Sequence, residues 1–334
     1  MSQNKAIILD PDGPILGVEE KALFRDQNPH GFILFQQHCQ NPDQVRRLVD
    51  DLRECVGRDN APVLIDQEGG SVARLRMPEF EEFPGALKFR QMAKTDLDLA
   101  EQAAFDNGEL MAQQLSDLGI NVNCTPVLDI PVLDSHEFLA AKRVYGDDPE
   151  TVTALGRKVC EAHLANGVTP IFKHIPGHGR ATVDSHIDLP KISAGYSDLQ
   201  KQDFKPFIEL SKEPWMAGAW AMTAHVIYND IDAERPGTLS PKVITDIIRG
   251  EIGFDGVLIA DDVSMKALRG DMADLAFQTL SAGCDLTLLC NQDFETNRRV
   301  LEKTPVLREE SAARLKAAED IRVNRAQGRA QLIA

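Results

Sequence analysis

The chain has 334 residues, 43% of them apolar and 26% charged, a composition that excludes disorder and fibrous repeats. Lysine and arginine total 36 against 52 aspartates and glutamates, a formal net charge of −16. This balance argues against nucleic-acid and anionic-membrane binding, because both need clustered cations to neutralise phosphates.

Short apolar runs recur along the chain, each bounded mostly by Gly, Pro, Asp or Asn. The first three are residues 6–9, 31–35 and 62–65. A helical face follows, with Ala104, Gly108, Met111, Leu115 and Leu118 spaced by alternating fours and threes. Run four is 121–124, and a second helical face, Val152, Leu155, Val159 and Ala162, precedes run five at 168–172. Run six is 216–223. Ser240-Pro241 then supplies an N-cap and a first-turn proline for a helix with Val243, Ile244, Ile247 and Ile248 on its apolar face. Runs seven and eight are 256–260 and 285–289, and a last helix spans about 308–326.

Runs of four to eight residues that are apolar throughout are the mark of parallel strands buried on both faces. Eight of them alternating with helices, with no linker or change of composition, predict one (β/α)₈ barrel over residues 1–334. A doubly wound open sheet is the competing architecture. It lacks its phosphate cradle, since no GxGxxG or GxxxxGK[ST] follows any run. No run reaches the ~18 residues of a membrane span. The first apolar run ends at Asp10 after four residues, where a secretory signal needs about 7–15, so a cytoplasmic protein is expected. The six cysteines (Cys39, Cys55, Cys124, Cys160, Cys284, Cys290) form no CxxC pair and are expected as buried thiols.

Barrel chemistry belongs at the C-terminal ends of strands. There run three meets Asp66-Gln67-Glu68-Gly69-Gly70, run five Lys173-His174, run six Thr223-Ala224-His225 and run seven Asp261-Asp262. The segment 168–190 gathers three of the eight histidines, His174, His178 and His186, beside Lys173, Asp184 and Asp188. It has three readings: a polar loop, a metal site, or an acid/base pair in which Asp184 orients His186. Pro176 and Gly177 prevent the helix that would set His174 and His178 on one face, and Lys173 adds a cation where a metal would sit. His163 is expected to be structural beside its helical face, and His30, His38 and His136 to lie in polar loops. Of the two adjacent carboxylates, one is a candidate nucleophile and the other a candidate cap for the next helix. Successive residues leaving a strand point in opposite directions, so one can serve each purpose.

Together KHIPGHG (173–179), DSH (184–186), IDQEGG (65–70) and ADDVSM (260–265) resemble the signature segments of glycoside hydrolase family 3. Within that family they are similar to the single-domain bacterial β-N-acetylglucosaminidases, and the likeness runs from GFILF (31–35) through AKRVYGDDP (141–149) to AGCDLTLLCN (282–291). The resemblance implies a (β/α)₈ hydrolase that removes terminal β-linked N-acetylglucosamine with retention of configuration. It implies Asp261 as nucleophile, His186 as acid/base and Asp184 as the partner of His186. Asp66, Arg74, Arg143, Lys173 and His174 are implied as sugar-holding residues. Ser71, Ala260, Ile175 and the segment QQHCQ (36–40) depart from the family's usual residues.

An imidazole titrates near 6.5 in the absence of perturbation, so His186 suits proton transfer near neutrality without a desolvated carboxyl. The glycine- and proline-containing loop suggests motion that brings His186 to the bond. The reaction requires no metal and no organic cofactor. A muropeptide, N-acetylglucosamine linked to anhydro-N-acetylmuramic acid, is the implied substrate, and the protein is expected to be monomeric. Three other functions are weighed: a phosphorylase, because an imidazole repels phosphate less than a carboxylate would; a metal-dependent hydrolase using His174, His178 and His186; and a non-catalytic sugar-binding module.

Overall fold

All eight apolar runs become strands, and two short strands join them. The computed structural model describes residues 4–136, 142–183, 185 and 188–333. In chain order the strands are β1 (Lys5–Leu9), β2 (Pro29–Leu34), β3 (Val63–Ile65), β4 (Val122–Asn123), β5 (Thr169–Ile175), β6 (Lys191–Ile192), β7 (Trp220–Thr223), β8 (Ile227–Tyr228), β9 (Val257–Asp262) and β10 (Leu286–Leu289). Eight of them close a ring in the order β1-β2-β3-β4-β5-β7-β9-β10, and every pairing is parallel. The short β6 and β8 pair with each other outside the ring. The predicted (β/α)₈ barrel is therefore the fold.

The runs are apolar on both faces because both faces are buried. Ile8, Ile33, Leu64, Val122, Ile171, Met222, Ile259 and Leu288 fill the inside of the ring. Their neighbours Ile7, Leu9, Phe32, Leu34, Val63, Ile65, Phe172 and Leu258 pack outward in the layer formed with the helices.

The helices start where the sequence caps them. Asp96 accepts from the Leu99 amide at the head of Leu97–Asp117, and Asp148 from the Thr151 amide at the head of Pro149–Ala165. Ser240 Oγ accepts from the Val243 amide, as its position predicts. Gly108 has a packing reason, since a Cβ there would lie 3.1 Å from that of Ala162 on the facing helix. The last helix, Glu309–Ile333, sends Leu315 and Ala318 into the inner cluster. Its Arg314 bonds Asp255 ahead of β9, and its Arg322 bonds Gly167 ahead of β5. It thus lies across the N-terminal ends of the strands and leaves the opposite mouth for the site.

Three local expectations change. The sixth run opens with a 3₁₀ turn, Met216–Gly218, before its strand begins at Trp220. Strand β5 continues beyond the apolar run, so Lys173 and His174 belong to the strand and are buried. His30 lies within β2 and not in a polar loop, and His38 is fully buried; burial lowers their imidazoles to about 3 and about 4. All six cysteines are free thiols, and all but the half-buried Cys39 are buried, as expected. No helix among the described residues is long and apolar enough to cross a membrane.

Candidate active site

Asp66 follows β3, Lys173 and His174 lie in β5, and Asp261 and Asp262 end β9. The barrel brings these strand ends to one mouth, where the residues line a cavity of about 430 Å³ together with Arg74, Arg143 and His178. Six of the sequence-predicted site residues therefore share one cavity: Asp66, Arg74, Arg143, Lys173, His174 and Asp261. Asp184 and His186 lie outside the described residues. Ser185 between them lines the cavity, and its carbonyl accepts from the Ala267 amide at 3.2 Å.

An alternating chain of charges forms the floor. Lys173 Nζ lies 2.9 Å from Asp66 Oδ1 and 2.8 Å from Glu68 Oε1. Arg143 grips Glu68 side-on with one edge of its guanidinium, Nε to Oε2 at 3.0 Å and Nη2 to Oε1 at 2.7 Å. Arg74 reaches Asp66 Oδ2 at 3.0 Å and lies over the Phe35 ring at 5.2 Å. Burial opposes ionisation of these groups, but pairing prevails. Lys173 and Arg74 hold the Asp66 carboxyl far below the carboxylate range, and Arg143 and Lys173 bring Glu68 down to about 2. Lys173 and Arg143 are held above their ordinary values by the same partners. Three cations face two carboxylates, so the array carries a net positive charge.

The loop after β3 is built around a buried glutamine. Gln67 Oε1 accepts from the amides of Arg74 and Leu75, at 2.8 and 3.1 Å. Asn123 on β4 accepts from the Gln67 amide and donates to its carbonyl, both at 3.0 Å. His163 in turn meets the Asn123 amide nitrogen at 3.0 Å and is fully buried, the structural role expected of it.

Beside this array, His174 Nδ1 lies 2.7 Å from Asp129 Oδ2, and Asp129 Oδ1 accepts from the His178 amide at 2.6 Å. The His178 ring packs at 5.5 Å from that of His174, and burial together with His174 lowers it to about 4. Residues 177–181 are held firmly: Tyr228 Oη donates to the Gly177 carbonyl, Ser135 Oγ to the Gly179 carbonyl, and the His136 amide to the Ala181 carbonyl. His136 lies in a loop, as expected, and lines the cavity. Among the described residues, no group of three His, Cys, Asp or Glu is placed to hold a metal ion.

The two carboxylates of β9 both line the cavity but take different partners. Asp262 Oδ1 accepts from the amides of Ser264 and Cys290 at 2.9 and 3.1 Å, and Oδ2 accepts from Ser264 Oγ at 2.7 Å. Burial raises its carboxyl to about 6. His225 is absorbed in the same region, with Nδ1 at 2.8 Å from Thr238 Oγ1 and Nε2 at 2.9 Å from the Asp262 carbonyl. Asp261 lines the cavity, and its Oδ1 accepts from the Asp262 amide at 2.8 Å.

Glu68 and Asp129 were missed as site residues in the sequence. Glu68 lies in the quoted IDQEGG segment. Asp129 lies five residues beyond run four, so its place at the mouth was not marked by the run itself; Val127 carries the pairing onward by bridging to Lys173.

Comparison with known proteins now bears on this site. Residues 16–324 match the model of the Glycosyl hydrolase family 3 N terminal domain. The chain is 32% identical over 304 residues to a beta-hexosaminidase of Bordetella avium, covering 87% of this chain and 84% of the relative. It is 35% identical over 298 residues to a beta-hexosaminidase of Methylococcus capsulatus, with 88% and 85% covered. The crystal structure of NagZ from Neisseria gonorrhoeae in complex with N-trifluoroacetyl-D-glucosamine superposes with a TM-score of 0.86 at 28% identity, over 96% of this chain and 93% of that one. A closed (β/α)₈ barrel with its charged cavity at the C-terminal mouth, and a family match over nearly the whole length, lead to one assignment: the chain belongs to glycosyl hydrolase family 3.

Proposed function

We propose that the protein is a retaining exo-β-N-acetylglucosaminidase. It releases terminal N-acetylglucosamine from cytoplasmic muropeptides whose next sugar is anhydro-N-acetylmuramic acid. The observation that carries this reading is the opening of Asp261 onto the same cavity as Asp66, Arg74, Arg143, Lys173 and His174. The volume of about 430 Å³ suits one small ligand. The beta-hexosaminidase relatives, and the sugar derivative bound to the gonococcal neighbour, support the choice of an N-acetylhexosamine.

In this reading the Asp261 carboxylate attacks C1 of the sugar while protonated His186 gives its proton to the glycosidic oxygen. The C1–O bond breaks, the aglycone leaves with that proton, and a glycosyl ester on Asp261 remains. Neutral His186 then takes a proton from water, whose oxygen attacks C1 and frees Asp261. Two displacements restore the β configuration. Asp184 holds the ring and stabilises its charged form. The paired cations and carboxylates hold the sugar hydroxyls in fixed directions, lowering the barrier by positioning. The Asp262 amide, bonded to Asp261 Oδ1, orients the nucleophile.

Labelling tests the central bond. A slow fluorinated N-acetylglucosaminide, followed by digestion and mass spectrometry, should place the sugar on the peptide carrying Asp261; label elsewhere ends this reading. Muropeptides incubated with and without phosphate should give the same free N-acetylglucosamine, and a phosphate-dependent sugar 1-phosphate would mark a phosphorylase. His186→Ala should slow alkyl glycosides by about 10²–10⁴-fold and nitrophenyl glycosides far less.

A further inference from the structure

We propose that Asp129 is a positioning residue of this site: its carboxylate sets the tautomer and ring angle of His174, so that the imidazole offers Nε2 to the sugar. The inference rests on the glycosidase reading above for the identity of the ligand, and on geometry alone for the coupling of the two residues.

The geometry is specific. Asp129 is 1% exposed and belongs to a segment laced to β5, with the Leu128 amide donating to the Lys173 carbonyl at 2.6 Å and the Lys173 amide to the Pro126 carbonyl at 3.0 Å. One carboxylate oxygen accepts from the amides of His178 (2.6 Å) and His174 (3.3 Å), and the other lies 2.7 Å from His174 Nδ1. An ionised carboxylate only accepts hydrogen bonds, so His174 Nδ1 must carry a proton. The pairing with His174 keeps the Asp129 carboxyl below its ordinary value in spite of complete burial. Nε2 is then the ring atom left for the cavity that His174 lines. The ring angle is held from the side as well, by the His178 ring at 5.5 Å. Because the same carboxylate holds the His178 amide, the imidazole and the start of the loop are fixed as one unit.

A residue needed only to satisfy two backbone amides need not be charged. Burying a carboxylate is costly unless it is paired, and a bond that selects one histidine tautomer is what the charge adds. Asparagine is the discriminating substitution. It has nearly the same shape, and its carbonyl oxygen can keep the two amide bonds. Its NH₂ group, however, would donate to His174 Nδ1 and move the ring proton to Nε2.

The test combines kinetics with nitrogen-15 NMR of histidine-labelled protein. In the wild type, His174 should be protonated at Nδ1, the signal being assigned by its loss in His174→Gln. In Asp129→Asn the proton should move to Nε2, and kcat/KM on 4-nitrophenyl N-acetyl-β-glucosaminide should fall about 10–100-fold. In the His174→Gln background the same substitution should change kcat/KM less than about 3-fold, because the group it acts through is gone. An unchanged tautomer in Asp129→Asn, or an equal loss in both backgrounds, would overturn the proposal. Should Asp129→Asn fail to fold, the wild-type spectrum still decides, since a bare Nδ1 on His174 refutes the coupling. A wild type that ignores N-acetylglucosaminides yet shows the expected tautomer removes the sugar reading and keeps Asp129 as the residue that sets His174.

Discussion

Asp261 and Asp262 leave the same strand as neighbours, both reach the cavity, and take different partners. The amide of Asp262 donates to Asp261 Oδ1 at 2.8 Å, while the Asp262 carboxylate is consumed by Ser264 and the Cys290 amide. The two should therefore fail differently. Asp261→Ala is expected to remove aryl N-acetylglucosaminidase activity and leave the melting temperature nearly unchanged. Asp262→Ala strands the amides of Ser264 and Cys290, each costing about 1–3 kcal/mol if it stays unsatisfied, while Ser264 Oγ can still donate to the Cys290 carbonyl. That variant should melt several degrees lower and keep measurable activity at low temperature. Thermal melts and initial rates on the two variants decide, and an exchange of phenotypes would move the nucleophile to Asp262.

Glu68 carries two cations. Glu68→Gln would leave Arg143 and Lys173 with one buried carboxylate partner fewer each, a change of the kind that costs about 3–5 kcal/mol. Urea unfolding should show that loss. With both cations less firmly held, KM should rise more than kcat falls. A variant as stable and as active as the wild type would show that Asp66 alone holds Lys173 in place.

Residues 129–136 and 177–181 meet backbone to backbone at Gly179. A Cβ at Gly179 would lie 1.9 Å from the Ile130 carbonyl oxygen, and backbone cannot yield as a flexible side chain can. Gly179→Ala should force the two segments apart, lowering kcat/KM at least about 10-fold because a displacement of this size disturbs the held geometry. Comparison of its rates and melting temperature with those of wild type tests this, and wild-type kinetics would mean that the contact is dispensable.

Acid should destabilise the fold through its buried histidines. Burial lowers His30 to about 3 and His38, His163 and His178 to about 4, from an ordinary 6.5. Below pH 6.5 the unfolded chain binds protons that these four rings refuse, so stability drops as pH falls toward 4. Burial raises Asp10 to about 7, Asp203 and Asp262 to about 6, and Glu20 above its ordinary value, and these four act in the opposite sense, favouring the fold as pH falls. Between pH 7 and 5 each of the four unfolded imidazoles takes up most of a proton that its buried counterpart refuses, while Asp203 and Asp262 oppose this only below about pH 6, so calorimetry should give a lower melting temperature at pH 5 than at pH 7. Asp10→Asn, which removes one opposing group, should steepen the fall. A melting temperature that rises on acidification would contradict the neutrality of the buried rings.

Much of this was legible in the chain. Eight runs with no polar alternation required burial on both faces, and their alternation with capped helical segments required a parallel barrel. The failures are equally local. Run five seemed to stop at Phe172 because Lys173 and His174 are polar, yet both are buried strand residues. Their neutralising partners Asp66, Glu68 and Asp129 lie on other strands' ends, far away in the chain. His30 was misplaced for a related reason: the polar stretch 26–28 and Pro29 precede it, yet it is a buried residue of β2.

Sequence alone thus determined the barrel, the mouth at which acids and imidazoles collect, and the carboxylate pair at the end of β9. Burial along a strand or helix is written in short-range periodicity, which any reader of the chain can count. Only tertiary structure decided that the Asp262 carboxylate is held by Ser264 and the Cys290 amide, that Glu68 ties Arg143 to Lys173, and that Asp129 grips His174. Those outcomes depend on distances between segments remote in the chain, and the energy of a buried charge is set by its partners across the fold.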